Sequence, residues 1–148
     1  MDMQEEKVCE TQCVGVAMLR KKYGADMNLE RWCENSNNIL CCRRGRVFIH
    51  EKDPQGAKVK HVFTYPQSKW HNPFKVEDNK TVADVCALFE KHILGSELRN
   101  HLDELVGKTL GCFCAPSSQC HIRTLQRLVQ MRDDLPPSQE VLTNKPKQ

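Results

Sequence analysis

The stretch TLGCFCAPSSQCHIRTL, residues 109–125, constrains the fold more than any other part of the chain. Residues 109–114 form a short apolar run of strand type, and residues 115–119, with Pro116 and two serines, read as a turn. Residues 120–131 then read as a helix. Ile122, Leu125, Leu128 and Val129 line its apolar face, and Arg123, Arg127 and Arg132 occupy the other. A buried strand that turns at once into an amphipathic helix needs a sheet to join and a layer to pack on. In open α/β sheets, ligands gather at the carboxyl ends of strands, beside helix N-termini. Residues 112–121 fall at such a place.

The rest of the chain supplies the partners. Residues 37–44 (NNILCCRR) and 46–50 (RVFIH) are β-type runs separated by the Arg44-Gly45 turn signal, and 61–65 (HVFTY) is a third, closed by Pro66. Residues 14–23 mix apolar and basic side chains and stop at Gly24. Residues 27–32 read as a short helix with Asp26 as N-cap. Thr81 caps a predicted helix through Ile93, and a second short helix covers 96–105 before Gly107 breaks it. The segment SKWHNPFKV is irregular, because Pro73 lacks an amide hydrogen and restricts Asn72. This order predicts one three-layer α/β domain over residues 12–132 with a small, mostly parallel sheet. Residues 1–11 are expected to be a flexible N-terminus and 133–148 a disordered C-terminal tail.

Composition enters where it restricts function. With 148 residues, 39% apolar and 28% charged, the chain suits a single domain with a modest core. A net charge of +3 does not demand a nucleic-acid partner, although local patches can still bind one. No run of about 18 apolar residues is present, so no membrane span is expected. The start MDMQEEK lacks the basic and apolar regions of a signal peptide, so a cytoplasmic, intracellular location is expected. In that reducing setting the nine cysteines are expected as free thiols, metal ligands or reactive groups. Their odd number argues against a complete disulfide framework. Cys9 and Cys13, and the adjacent Cys41 and Cys42, lack the C-x-x-C spacing of a redox or zinc pair.

Cys112, Cys114, Cys120 and His121 admit three readings. Three thiolates and an imidazole are a standard zinc set, but C-x-C-x5-C-H is not a standard spacing. Alternatively they wall a pocket or supply chemistry, with Cys120 and His121 as the catalytic candidates at a helix start that favours a thiolate or a phosphate. On that reading Cys112 turns inward and Cys120 is exposed. The third reading is packing, since cysteine is among the most buried residue types. It is preferred for Cys33 and Cys86. Tyrosine phosphatases are excluded on motif, because C-x5-R from Cys120 ends at Gln126, and zinc deaminases are disfavoured, because their H-x-E and P-C-x-x-C are missing.

Basic and aromatic residues add a second set. Arg43, Arg44 and Arg46, with Lys58 and Lys60, suit phosphate or nucleic-acid contact, or form a solvated hairpin tip, the reading preferred for Arg44. Trp70 either stacks on a base or plugs a sheet edge. Asn72 either orients a ligand or closes its own turn.

SKWHNPFKV followed by LVGKTLGCFCAPSSQCH resembles the family called domain of unknown function 4326, found in phages, bacteria and large DNA viruses. The resemblance extends to LRKKYG, NLERW and GRVFI and spans roughly residues 14–130. Trp70, Asn72, Pro73 and Phe74 match its first motif. Gly107, Lys108, Leu110, Cys112, Cys114, Pro116, Cys120 and His121 match its second, and Arg43 falls on an Ile-Gly-Arg-like element. Cys42 and His71 stand where the family usually has glycine, which implies a narrowed or retuned pocket. A further likeness of the strand, turn and Cys-His to another uncharacterised α/β family implies a Rossmann-like sheet. The resemblance implies no activity, and an enzymatic role stays open.

The leading expectation is a domain that binds a small phosphorylated or nucleotide-like ligand. Arg43 would meet the anion, Asn72 a polar edge and Trp70 a ring. Cys120 and His121 would form the helix-start wall, and the motif match adds Lys108 and Cys114. The competing expectation is a zinc-stabilised interaction module built on Cys112, Cys114, Cys120 and His121. A third is a viral accessory protein whose basic face meets a partner.

Overall fold

In the computed structural model, which describes residues 8–75, 79–113 and 120–135, the chain begins with β1 (Glu10–Cys13), α1 (Val16–Tyr23), α2 (Leu29–Cys33) and β2 (Asn38–Leu40). It continues with β3 (Gly45–Lys52), β4 (Lys58–Tyr65), α3 (Val82–Leu94) and a 3-10 helix (Glu97–Leu105). It closes with β5 (Thr109–Cys112), α4 (His121–Gln130) and a 3-10 turn (Arg132–Asp134).

The strands make two sheets, not the single mostly parallel sheet expected. β5 is the centre of a three-stranded parallel sheet in the order β1-β5-β2, and β3 and β4 pair as a separate antiparallel ribbon. The Arg44-Gly45 signal marks where the chain leaves one sheet for the other.

Successive side chains on a strand point to opposite faces, and the parallel sheet is covered on both. Leu110 and Cys112 of β5 enter the larger apolar cluster, with Phe89 and Ile93 of α3 and Leu125 and Leu128 of α4. Gly111 points the other way, toward Val14, Leu19, Leu29 and Trp32. A Cβ on Gly111 would lie 2.5 Å from Trp32 Cη2 and 2.7 Å from Val14 Cγ1, so only hydrogen fits.

The helices start where side chains can hold them. Thr81 Oγ1 accepts from the Asp84 amide at 3.1 Å and Asp84 Oδ2 accepts from the Thr81 amide at 2.9 Å, a reciprocal cap for α3. α2 begins two residues later than the sequence predicts. Asn28, not Asp26, is its N-cap, accepting from the Arg31 amide at 2.9 Å. On α4 the apolar stripe Ile122, Leu125, Leu128 and Val129 is buried, and Arg127 on its far side pairs with Glu90 of α3.

Both expected chain ends are corrected within the described residues. Cys9 is buried and β1 starts at Glu10, so the domain includes residues assigned to a flexible N-terminus. The Cys13 end of β1 continues into Val14, whose amide donates to the Cys112 carbonyl at 2.8 Å. At the other end, Asp133 and Asp134 lie in the 3-10 turn and Leu135 packs against the larger cluster. The remainder of the expected tail, 136–148, lies outside the described residues.

The ribbon has two unlike faces. Val47, Phe63 and Tyr65 pack inward on the smaller cluster. His61 lies between Glu30 of α2 (2.7 Å) and Glu51 (3.6 Å), while Arg31 pairs with Glu51 at 3.2 Å. This ionic cluster joins ribbon to helix. The other face presents four directly opposed pairs: Arg46–Thr64, Phe48–Val62, His50–Lys60 and Lys52–Lys58. All eight side chains are exposed, and none is acidic.

Candidate functional site

The carboxyl end of β5 opens into a cleft of about 810 Å³. Five segments wall it, together with Tyr65 at the end of β4. Cys42, Arg43 and Arg44 follow β2; Asn72, Phe74 and Lys75 come from the Asn-Pro-Phe turn; Val82, Val85 and Cys86 belong to α3. Cys112 and Phe113 end β5, and Cys120 and His121 begin α4. Three of these side chains are cationic (Arg43, Arg44 and Lys75) and none of the described lining residues is acidic.

Local hydrogen bonds hold the rim. The Ser68 amide donates to the Cys42 carbonyl at 3.0 Å, which ties the irregular segment to the end of β2. Ser68 Oγ then accepts from the Trp70 amide at 3.0 Å. Asn72 Oδ1 accepts from the Phe74 amide at 3.0 Å, an Asx turn that Pro73 favours. Arg43 Nη2 donates to the Phe74 carbonyl at 3.0 Å. Arg43 and Asn72 are therefore both structural on one edge and lining on the other.

The floor is a cluster of thiols around one imidazole. His121 Nε2 donates to the Cys41 carbonyl at 2.7 Å. That bond fixes the hydrogen on Nε2 in the neutral ring and leaves Nδ1 as an acceptor. Nδ1 lies 3.8 Å from Cys120 Sγ, so the thiol can donate to it. Phe89 meets the imidazole edge-on, with centroids 5.0 Å apart. Cys120 Sγ also lies 2.7 Å from Cys112 Sγ. Burial pushes the Cys41 thiol far up, with the nearby Cys42 and Cys120 thiols adding to it. Burial likewise raises Cys86, reinforced by Cys120 and opposed by a hydrogen bond with Thr124.

The sequence-derived residues divide among three places. Arg43, Asn72, Cys112, Cys120 and His121 come together in the cleft. Cys114 lies outside the described residues. Two others are corrected. Trp70 is 2% exposed and packs in the core cluster, with Lys69 over its ring, so no ligand ring can stack on it. Lys108 precedes β5, at the opposite end of that strand from the cleft. Four strand residues span about 13 Å, too far for the two ends to share a small ligand. Cys120 is also less exposed than a helix-start thiol was expected to be, at 5%. Of the two departures from family glycines, Cys42 lines the cleft and His71 instead hydrogen-bonds the Ser68 carbonyl.

The cleft also contains residues that sequence reasoning passed over. Arg44, for which a solvated hairpin tip was the preferred reading, instead lines it, away from the β3–β4 turn. Lys75 follows the Asn-Pro-Phe motif directly, a position that in retrospect signals it. Cys86 faces the cleft from α3, one helical turn from Val82, and nothing in its spacing marked it.

Of the four residues of the zinc reading, Cys112, Cys120 and His121 are described and Cys114 is not. Cys112, Cys120 and His121 do not bring one ligand atom each within 4.8 Å of one another. Among the described residues, the group that does so is Glu30, Glu51 and His61, in the ionic cluster between α2 and the ribbon.

Fold and site together define a small mixed α/β protein with a cation-rimmed, thiol-floored cleft at the carboxyl end of its parallel sheet. The family described as Domain of unknown function (DUF4326) matches residues 24–131, and the chain belongs to it. Over 86 residues the chain is 41% identical to an uncharacterized protein of Acanthamoeba polyphaga mimivirus. That alignment covers 58% of this chain and 61% of the relative, so the chain spans about three-fifths of the relative's length. No solved structure matches. Among the described residues, no helix is long and apolar enough to cross a membrane.

Proposed function

We propose that the cleft binds a small phosphorylated or nucleotide-like ligand. One observation carries this reading: three cationic side chains and no described carboxylate line a cleft onto which the N-terminus of α4 opens. Arg43 uses one N–H on Phe74, and its planar fork has further donors for phosphate oxygens. Cys120 makes no side-chain cap on α4, and the Arg123 amide donates to the Cys120 carbonyl, so the His121 and Ile122 amides are the first-turn donors that would face an anion. Phe74, Val82 and Phe113 offer apolar surface to a base or sugar. The cleft's size suits a ligand of that class. Cys120 and His121 form the wall nearest the helix start, with the imidazole held as the acceptor for the thiol proton.

The same proposal takes the covered parallel sheet as Rossmann-like. It also places the protein in the cytoplasm, a setting supported by the free thiols of Cys9, Cys13, Cys33, Cys41 and Cys86. A zinc module is the weaker alternative, because Cys112, Cys120 and His121 do not all bring a ligand atom within 4.8 Å of one another, although the Nε2 bond to the Cys41 carbonyl leaves His121 Nδ1 open to a metal.

Calorimetry on the purified chain tests the reading with inorganic phosphate, a nucleoside monophosphate, a nucleoside diphosphate and a sugar phosphate. At least one phosphorylated probe should bind saturably, and its unphosphorylated counterpart at least about tenfold more weakly. Lys75→Gln, at an exposed side chain, should weaken that binding without lowering the melting temperature. Lack of saturable binding by every probe, or affinity unchanged in both Lys75→Gln and Arg43→Gln, would sink the proposal.

A further inference from the structure

On the far side of the ribbon, Phe48 and Val62 stand directly opposite each other and are 55% and 46% exposed. Arg46 and Lys60 lie over the Phe48 ring at 5.9 and 5.6 Å from its centroid. Lys52 stands directly opposite Lys58. Like charges facing each other across a strand pair oppose folding, and an exposed aromatic ring gains little from water. A face that is merely solvated would mix its charges. This one sets cations around an apolar centre and includes no acidic side chain.

We propose that this face of the β3–β4 ribbon is a binding surface for single-stranded nucleic acid. Phosphates neutralise the lysines and the arginine, which removes the repulsion between Lys52 and Lys58 and releases counterions from the strand. Bases stack on Phe48, because every base has a face that an exposed ring can cover. The ring favours a single strand over a duplex, whose bases are already stacked on one another. The surface is independent of the cleft, since none of Arg46, Phe48, Lys52, Lys58 and Lys60 lines it.

Fluorescence anisotropy of the full chain tests this. The probes are labelled single-stranded DNA and RNA of about 20 nucleotides, longer than the site size of one small domain, and the corresponding duplex. Binding should be tighter to a single strand than to the duplex. Its logarithm should fall against the logarithm of salt with a slope of about −3, as four neutralised phosphates imply. Whether DNA or RNA binds better identifies the source; either result supports the surface. Phe48→Ala should weaken binding about fivefold or more with the salt slope kept. Replacing Arg46, Lys52, Lys58 and Lys60 together by glutamine should flatten the slope. All five positions are exposed, so thermal melts should not fall below the wild-type value, with a rise in the glutamine variant as the Lys52–Lys58 repulsion is removed, which rules out misfolding. Equal or tighter binding to duplex would overturn the single-strand assignment. So would binding that neither variant changes, or binding to anionic phospholipid vesicles with none to either oligonucleotide. A positive result here with a silent cleft, or the reverse, separates the two proposals.

Discussion

Gly111 sits in the central strand with Trp32 and Val14 closing on its α-carbon. Both neighbours are buried and belong to the rigid smaller cluster, so neither can swing away. Gly111→Ala should therefore destabilise the chain by about 1–3 kcal/mol, the usual cost of overpacking, and urea unfolding would measure it. Thiol burial gives a second prediction. Cys9, raised by burial and then by Glu10, and Cys33, raised by burial, are both pushed up from 9.0 to about 11. Burial moves Cys41 in the same direction. The folded state thus keeps protons that the unfolded chain releases above about pH 9. Stability should be fully present below that value and decline as pH rises through 11. Melts across this range should fall more gently in a Cys9→Ala, Cys33→Ala variant; an equal decline would refute the thiol origin. Residue types alone did not disclose these environments. Trp70 reads equally as a stacking platform or a core plug, and only burial decides. Lys108 adjoins the cysteine motif in sequence, yet a strand's length separates it from the cleft.

At the scale of elements, α3 was the most legible because its signals are local. Thr81, Asp84 and the apolar stripe lie within the helix they define, and the reciprocal cap forms where the sequence places it. Thr81→Ala should cost about 1 kcal/mol, while Thr81→Ser should retain most of that stability; chemical denaturation of the two variants checks the cap. β1 was illegible for the opposite reason. Its residues Glu10, Thr11, Gln12 and Cys13 show no apolar alternation, and the strand exists through backbone pairing with β5. The turn signal at Arg44-Gly45 was real, but a turn does not say whether the next strand joins the same sheet. Here it starts the ribbon instead. α2 shows a smaller error of the same kind: Asp26 and Asn28 are both capable caps, and Asn28 is the one whose carbonyl oxygen reaches a helix amide.

For the whole molecule, the candidate site was legible as a location and not as a composition. Strand, turn and Cys-His gave the carboxyl end of β5. Of the cations opposite it, Arg43 was named from its motif, while Arg44 and Lys75 are brought there by tertiary pairing. If the thiols floor a ligand cleft and do not hold a metal, as proposed, a zinc chelator should leave the melting temperature unchanged. Stoichiometric zinc in the purified chain, lost together with the fold on chelation, would restore the metal reading. The strand order has its own consequence. β5 is made long after β1 and β2, yet it lies between them, and among the described residues neither of those strands has another partner in the sheet. A growing chain on the ribosome therefore holds two unmatched strand edges until residue 112 has emerged. Such sequence-distant pairing makes folding slow and exposes the nascent chain to self-association. A fragment ending at Leu105 should be insoluble or unfolded by circular dichroism, however much of the N-terminal half it retains, and supplying residues 106–148 as a separate peptide should rescue it.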